Sequence, residues 1–395
     1  MVKLTAKVKL LASPEHHRAL EKTMRAANAA CNWISEQAWA AKEFSAYGIH
    51  RLAYRGARQR FALPSQVAVR CISKVADAYK LDHHTRRSFQ PLNAIAYDDR
   101  ILRWHVAEGG VSLTCLDGRL RVGFAAGERQ FALLAHQQGE SDLILRKGVF
   151  YLAATCNVQE PAPTDVDDFL GVDFGIANIA ADSDRKHYSG SEIKSVRHRQ
   201  RRLRRKLQAK HTTSANRRLR KLAGKEERFA TRTNHVISKQ LVASAKGTGR
   251  GLAIEELVGI RQRVKVGRKQ RAVLHSWAFS QLRLFLEYKA KLVGVPLLLV
   301  DPRNSSRECS RCHDASKSNR PNQSTFRCRT CGHQGHADSN PASIIAGRAA
   351  CKLAILHIRR LSPTSHPNEI QRRSRRTQQA RLYGNRLSAT IPTRR

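Results

Sequence analysis

Acidic residues are scarce in this chain. Its 395 residues carry 31 Asp+Glu against 72 Lys+Arg, a formal net charge of +41. A protein so charged repels itself unless it meets a polyanion, and nucleic acid is the commonest one. Cysteine is sparse too: nine residues are too few for a disulfide scaffold. Long apolar runs are missing. The purely apolar stretches are as short as Leu297–Val300, which excludes a membrane-spanning helix. The opening Met1-Val2-Lys3-Leu4-Thr5-Ala6-Lys7 lacks the apolar core and cleavage site of a signal peptide. A cytoplasmic, nucleoid-associated protein is expected. No Ser-His-Asp or Cys-His signature and no GxxxxGK[ST] phosphate loop occurs.

What is present is patterned. An apolar fraction of 41% can bury real cores, and the length suits two or three domains at about 100–200 residues each. Residues 3–11 alternate like a strand, with Val8 and Leu10 between lysines. Leu20, Met24, Ala27, Cys31, Ile34 and Ala38 then recur at helical spacing, and helical patterning continues through Val67–Tyr79. From about Ala94 to Val158 the chain reads as short strands with turns at Glu108-Gly109-Gly110, Asp117-Gly118 and Lys147-Gly148. This order suggests a β-barrel-like domain with a helical insertion. Glu160–Asp168, with Pro161 and Pro163, reads as a linker with nothing apolar enough to pack firmly.

A second large domain begins at Phe169, with a buried strand running into Asp173 and a hairpin from Ile176–Ala181 to Lys186–Ser189. Lys194–Arg232 is the densest basic stretch. Arg201, Arg202, Arg204, Arg205, Lys206, Arg217, Arg218, Arg220 and Lys221 share it with an apolar stripe of Leu203, Leu207, Leu219 and Leu222. One or two long helices with a cationic side are expected there, suited to a phosphate backbone. Gly251–Glu255 is another buried strand. A helix containing Trp277, Phe279, Leu282 and Leu286 follows, then a strand at Val293–Val300 and a helix from about Asn340. Strands alternating with helices indicate an α/β layer. The last stretch, with Arg372, Arg373, Arg375 and Arg376, reads as a basic disordered arm.

Cys309-Ser310-Arg311-Cys312 and Cys328-Arg329-Thr330-Cys331 are separated by fifteen residues. Two such knuckles supply the tetrahedral four-sulfur shell that zinc prefers, closed to substrate and therefore structural. His313, His333 and His336 are alternative ligands. Cys31, Cys71, Cys115, Cys156 and Cys351 read as core residues.

Three carboxylates stand out in so basic a chain. Asp173 and Glu255 end apolar strands, and Asp338 precedes a helix start at Ser339-Asn340-Pro341-Ala342. Singly, each has an ordinary explanation as a turn residue, a surface acid or a helix cap. Together they can hold two Mg²⁺ ions about 4 Å apart, the arrangement that hydrolyses a phosphodiester without a covalent intermediate. Strand alternation lets only one of Glu255 and Glu256 face the metals, and Glu255 directly follows the apolar run. Asp301, at another strand end, is a candidate fourth carboxylate.

The order of these parts resembles the transposon-encoded OrfB/TnpB family of RNA-guided DNA endonucleases, relatives of the type V CRISPR effectors. The resemblance runs from Lys3 to about Ala349. Gly171-Val172-Asp173-Phe174-Gly175-Ile176, Leu252-Ala253-Ile254-Glu255-Glu256-Leu257 and Gly335-His336-Ala337-Asp338-Ser339-Asn340-Pro341-Ala342 look like the three motifs of the family's split RuvC nuclease. The double CxxC lies between the second and third, where the family carries a zinc ribbon. The chain departs from the family at His336, where an acid is usual, at Pro341 and Ser343, and at His313.

The resemblance implies an RNase H-like (RuvC) domain at 169–304 and 334–350, with a zinc-ribbon insertion at 305–333. It implies a β-barrel wedge domain at 1–13 and 91–160, interrupted by a helical recognition insertion at 14–90. A linker at 161–168 and a basic tail at 351–395 complete the chain. It further implies a guide RNA, a double-stranded DNA target cut next to a short motif, catalytic Asp173, Glu255 and Asp338 on Mg²⁺ with Asp173 bridging both ions, and zinc on Cys309, Cys312, Cys328 and Cys331. The rival readings are a nuclease-dead RNA-guided repressor, a DNA-only transposase, and a zinc-ribbon RNA-binding protein without activity.

Overall fold

The structure is a computed structural model that describes residues 1–175, 178–256, 279–322 and 324–361. Ile176, Leu257, Trp277 and the basic stretch from residue 362 onward, with Arg372, Arg373, Arg375 and Arg376, lie outside the described residues. The chain divides into two units, Met1–Pro161 and Ala162–Arg395.

In the first unit, β1 (Val2–Leu10) alternates buried and exposed residues and pairs antiparallel with β7 (Val149–Val158) from Val2↔Val158 to Lys9↔Tyr151. The remaining strands are β2 (Ile95–Tyr97), β3 (Leu102–His105), β4 (Gly110–Cys115), β5 (Gly118–Ala125) and β6 (Gln137–Arg146). They form a seven-stranded sheet in the order β2-β6-β7-β1-β5-β4-β3. Its ends curl toward each other. The Trp104 indole on β3 donates to Ser141 Oγ on β6 at 3.2 Å, and Tyr97 Oη on β2 donates to the Thr114 carbonyl on β4 at 3.2 Å. The sheet is thus a nearly closed barrel. The Lys147-Gly148 turn has both residues at positive φ (53° and 73°), the conformation that suits a two-residue hairpin.

The helical insertion is three helices, α1 (Pro14–Ala41), α2 (Ala46–Phe61) and α3 (Ser65–Leu81). Ser13 and Ser45 cap the first two by accepting from the amides of His16 and Gly48. The Leu20, Met24, Ala27, Cys31, Ile34 and Ala38 stripe is wholly buried core, as its spacing predicts. One helix interrupts the expected strands: α4 (Glu128–Leu134), whose Phe131 and Leu134 sit three apart rather than two.

In the second unit, β8 (Phe169–Asp173), β9 (Asn178–Asp182), β10 (His187–Ser189), β11 (Gly251–Glu255) and β12 (Leu297–Val300) form a sheet ordered β10-β9-β8-β11-β12. β9 runs antiparallel to its neighbours β8 and β10, and β8, β11 and β12 run parallel. Helices cover both faces. Leu170, Val172, Leu252 and Ile254 pack against Ile237 and Leu241 of α7 (Lys225–Gly247) and Leu282 and Leu286 of α8 (Phe279–Leu292). The alternate residues Phe169 and Ala253 pack with Ile345 and Ala349 of α9 (Ser339–Leu361).

Three expectations are corrected. The basic stretch is three segments, α5 (Ser191–Gln208), α6 (Thr213–Leu222) and the start of α7, because His211 and Gly224 adopt left-handed backbone (φ 50° and 78°) that ends each helix. The 161–168 linker is anchored: Val166 is buried against Phe169 and Val300, and the Thr164 amide donates to the Gly294 carbonyl. Cys351 is exposed on α9, whereas Cys31, Cys71, Cys115 and Cys156 are buried.

Helix α9 crosses β8 at Gly171, where a Cβ would stand 2.0 Å from the Ala342 carbonyl oxygen and 2.6 Å from the Ala346 amide nitrogen. Both are backbone atoms and cannot swing aside. Gly171→Ala should therefore destabilise the chain by about 3 kcal/mol, the upper range for overpacking, measurable by denaturant unfolding. Gly247→Ala, with open space at its Cβ, is the control.

Candidate functional site

Strand periodicity and register assemble the acids. Ile254 on β11 pairs with Val172 on β8, so Glu255 and Asp173 follow as neighbours at the ends of two parallel strands. Both share the parity of Phe169 and Ala253, the face covered by α9. Asp338 immediately precedes α9 and arrives on that face. Glu255 is buried and Glu256 exposed, so the alternation resolves in favour of Glu255 facing inward.

The three acids interact. Burial, then repulsion from Glu255 and Asp338, pushes Asp173 well above the usual carboxylate range, with Arg320 opposing. Burial also raises Glu255, against a hydrogen bond from Ser305 and the positive charge of Arg348. Two of the three carboxylates are held by neighbouring side chains. Ser305 Oγ donates to Glu255 Oε1 at 2.6 Å. Asn178 Nδ2 donates to Asp338 Oδ2 at 2.9 Å, and an Arg320 guanidinium nitrogen lies 3.2 Å from Asp338 Oδ1. A cluster of like charges with one nearby arginine is a receptor for cations. Asp301 does not join it. That side chain is exposed and accepts from the Arg303 amide at 3.0 Å.

The four cysteines converge as their spacing predicts. Cys309 and Cys331 sulfurs lie 3.6 Å apart, Cys312 and Cys328 sulfurs 3.4 Å. All four lie within one ion's reach of each other. The Cys331 amide donates to the Cys328 sulfur and helps bring that thiol down to about 7. The donor set and crowding fit a closed zinc shell. His313 pairs with Glu308, and His333 faces Ser310, so neither is needed in the shell. Around the knuckles, β13 (Thr325–Arg327) pairs antiparallel with β14 (Gln334–His336).

Sequence reasoning missed the polar residues that join the two sites. Buried Asn319 donates to the Arg307 and Asp314 carbonyls and accepts from the Arg329 amide, binding the ribbon to itself. Asn340 on α9 accepts from the Ser310 amide and donates to the Glu308 carbonyl, binding the ribbon to the helix. Arg320 carries a ribbon charge to Asp338. Asn, Ser and Arg occur throughout the chain, and no spacing marks these.

Arg201, Arg202, Arg204, Arg205 and Lys206 on α5, and Arg217, Arg218, Arg220 and Lys221 on α6, are all exposed. Leu207 is buried and Leu203, Leu219 and Leu222 half-buried, which confirms the two-sided helices. Arg197 pairs with Glu226 at 2.8 Å and ties α5 to α7. None of the nine basic side chains forms an ion pair among the described residues, so their charge faces outward.

The chain is similar to known proteins. Residues 153–259 match the family described as a probable transposase, OrfB of the IS605 type, and residues 279–345 match the Cas12f1-like TNB domain. The CRISPR-associated endodeoxyribonuclease Cas12f1 of Sulfoacidibacillus thermotolerans is 29% identical over 51% of this chain and 50% of its own length. A TnpB-like protein of Methanocaldococcus jannaschii is 34% identical over 28% of this chain and 40% of its own. The Cas12f1 chain in a cryo-EM structure of a Cas12f1–sgRNA–target DNA complex has the same fold. Its TM-score is 0.58 at 15% identity, covering 84% of this chain and 83% of that one. Alignments with the first two curated relatives span about half of their lengths. The fold match and the two domain matches place this chain beside Cas12f and transposon-encoded proteins. Over these residues the chain resembles the OrfB/TnpB family.

A raised folded-state pKa means that Asp173 and Glu255 hold protons when folded that they release on unfolding. Stability of the chain without divalent cation therefore falls as pH rises from the ordinary carboxylate range through their raised values. At pH 7, with zinc supplied throughout, Asp173→Asn should raise the Tm. Mg²⁺ should stabilise the natural chain by about 2.7 kcal/mol at a hundredfold excess over its Kd and the variant by far less, read by calorimetry.

Proposed function

We propose that this chain is a transposon-encoded, RNA-guided DNA endonuclease that requires divalent metal and cuts double-stranded target DNA next to a short motif. The carrying observation is the convergence of Asp173, Glu255 and Asp338 under α9 in an otherwise strongly basic chain. The sheet order, three antiparallel strands followed by two parallel ones, supports reading 169–304 and 334–350 as an RNase H-like (RuvC) nuclease domain. The near-closed barrel and its helical insertion support reading the first unit as wedge and recognition domains. Relatives named as endodeoxyribonucleases support the activity, and a neighbour solved with sgRNA and target DNA supports the partners.

When bound, two Mg²⁺ ions would supply an activated water and charge neutralisation at the leaving oxygen. Asp173, Glu255 and Asp338 hold them. Ser305 orients the Glu255 carboxylate, and Asn178 fixes one oxygen of Asp338. Arg320 balances part of the negative charge until a cation takes over. Cys309, Cys312, Cys328 and Cys331 hold a structural zinc, and Asn340 transmits the ribbon's position to α9. The cationic faces of α5 and α6 grip the guide–target heteroduplex by its backbone.

Asp173→Ala should lower guided DNA cleavage by about 10³-fold or more, the loss of several kcal/mol of transition-state stabilisation, while RNA binding persists. Cleavage at the natural rate would sink the assignment. Glu255→Gln should abolish cutting and Glu256→Gln should not. Replacing Arg201, Arg205, Arg217 and Lys221 by Gln should weaken RNA binding and flatten the slope of log affinity against log salt by about 0.7–0.9 per lost contact, measured by filter binding.

A further inference from the structure

Beside the acid trio stands a group of side chains of metal-ligating type. Ligand atoms of His187, His336 and Asp338 all lie within 4.8 Å of one another. The sheet register explains the placement. Asp173 on β8 and His187 on β10 both pair with Ala181 of β9, so they project from the same face two strands apart. His336 ends β14, two residues before Asp338, and its ring centre lies 4.3 Å from that of His187. Asp338 thus acts on Asp173 and also lies within reach of two imidazoles. The His187 ring is steered by Ser339, whose Oγ lies 3.2 Å from Nε2. The His336 Nδ1 accepts from the Asp338 amide at 3.2 Å, a long contact that a cation on that nitrogen would replace. Both rings are exposed and can admit an ion from solvent.

We propose that His187, His336 and Asp338 form a second cation site, selective for a first-row transition divalent ion over Mg²⁺. Two imidazole nitrogens and one carboxylate oxygen suit Mn²⁺, Co²⁺ or Zn²⁺, whereas an all-oxygen shell suits Mg²⁺. Asp338 is shared with the acid trio, so occupancy of the histidine site tunes the nuclease centre through that carboxylate. The proposal rests on the nuclease reading for this coupling, but the binding itself does not.

The test uses the full chain with its four-cysteine site filled with zinc, and Co²⁺ as probe. Zinc outranks cobalt at such ligands, so added Co²⁺ reports the remaining sites. The double variant Asp173→Asn, Glu255→Gln removes the acid pair but keeps Asp338. It should still bind one equivalent of Co²⁺ with a visible d–d band, and excess Mg²⁺ should not displace it. Adding His187→Ala and His336→Ala should weaken that binding by about tenfold or more. The proposal is overturned if the double variant binds no Co²⁺, if Mg²⁺ displaces it, or if the histidine substitutions leave the titration unchanged. Because the Mg²⁺ competition uses the histidine-intact chain, misfolding of the histidine variant does not obscure the answer. Cleavage retained by Asp173→Ala would instead remove the nuclease reading and leave the Co²⁺ titration as it is.

Discussion

The packing of α9 against β8 at Gly171 is the constraint on which the site depends. Two backbone segments approach so closely there that no side chain fits between them. That approach fixes the height of the helix over the sheet. It therefore fixes where Asp338, the residue before the helix, meets Asp173 and Glu255 at the strand ends. The acids repel each other and lose hydration, and the folded chain bears that cost through packing elsewhere in the unit. Sites that bind cations are commonly built this way, with the strain relieved by the ligand.

The ribbon is coupled to this arrangement through polar contacts rather than through an apolar core. Among the described residues its own buried apolar cluster is Cys309, Phe326 and Cys328. So small a core does not hold a fold together, which is why the four-sulfur shell matters. Asn340 and Arg320 then connect the knuckles to α9 and to Asp338. The four-cysteine cluster and the acidic site become mechanically continuous.

Much of this was legible in the residues. The CxxC spacing carries its own geometry, because two residues between thiols make a turn that points both sulfurs one way. The helical stripe from Leu20 to Ala38 and the apolar runs before Asp173 and Glu255 were legible because burial imposes its period directly on sequence. The α4 helix was not, being short and set among strands. Nor were the breaks at His211 and Gly224, where a left-handed residue that any loop could use divides one cationic helix from the next. Val166 looked solvated because its neighbours are polar, yet one valine suffices to anchor a linker when a hydrophobic pocket lies beneath it.

Local rules therefore determined the elements, the metal-type cysteine shell, the cationic faces and the candidate acids. Tertiary structure decided which of these meet. The choice between Glu255 and Glu256 needed the face on which α9 lies, and the exclusion of Asp301 needed its outward turn toward Arg303. The gathering of His187 with His336 needed a register across three strands and a helix start some 150 residues later in the chain. Periodicity states which way a side chain points, but only long-range packing states what it points at.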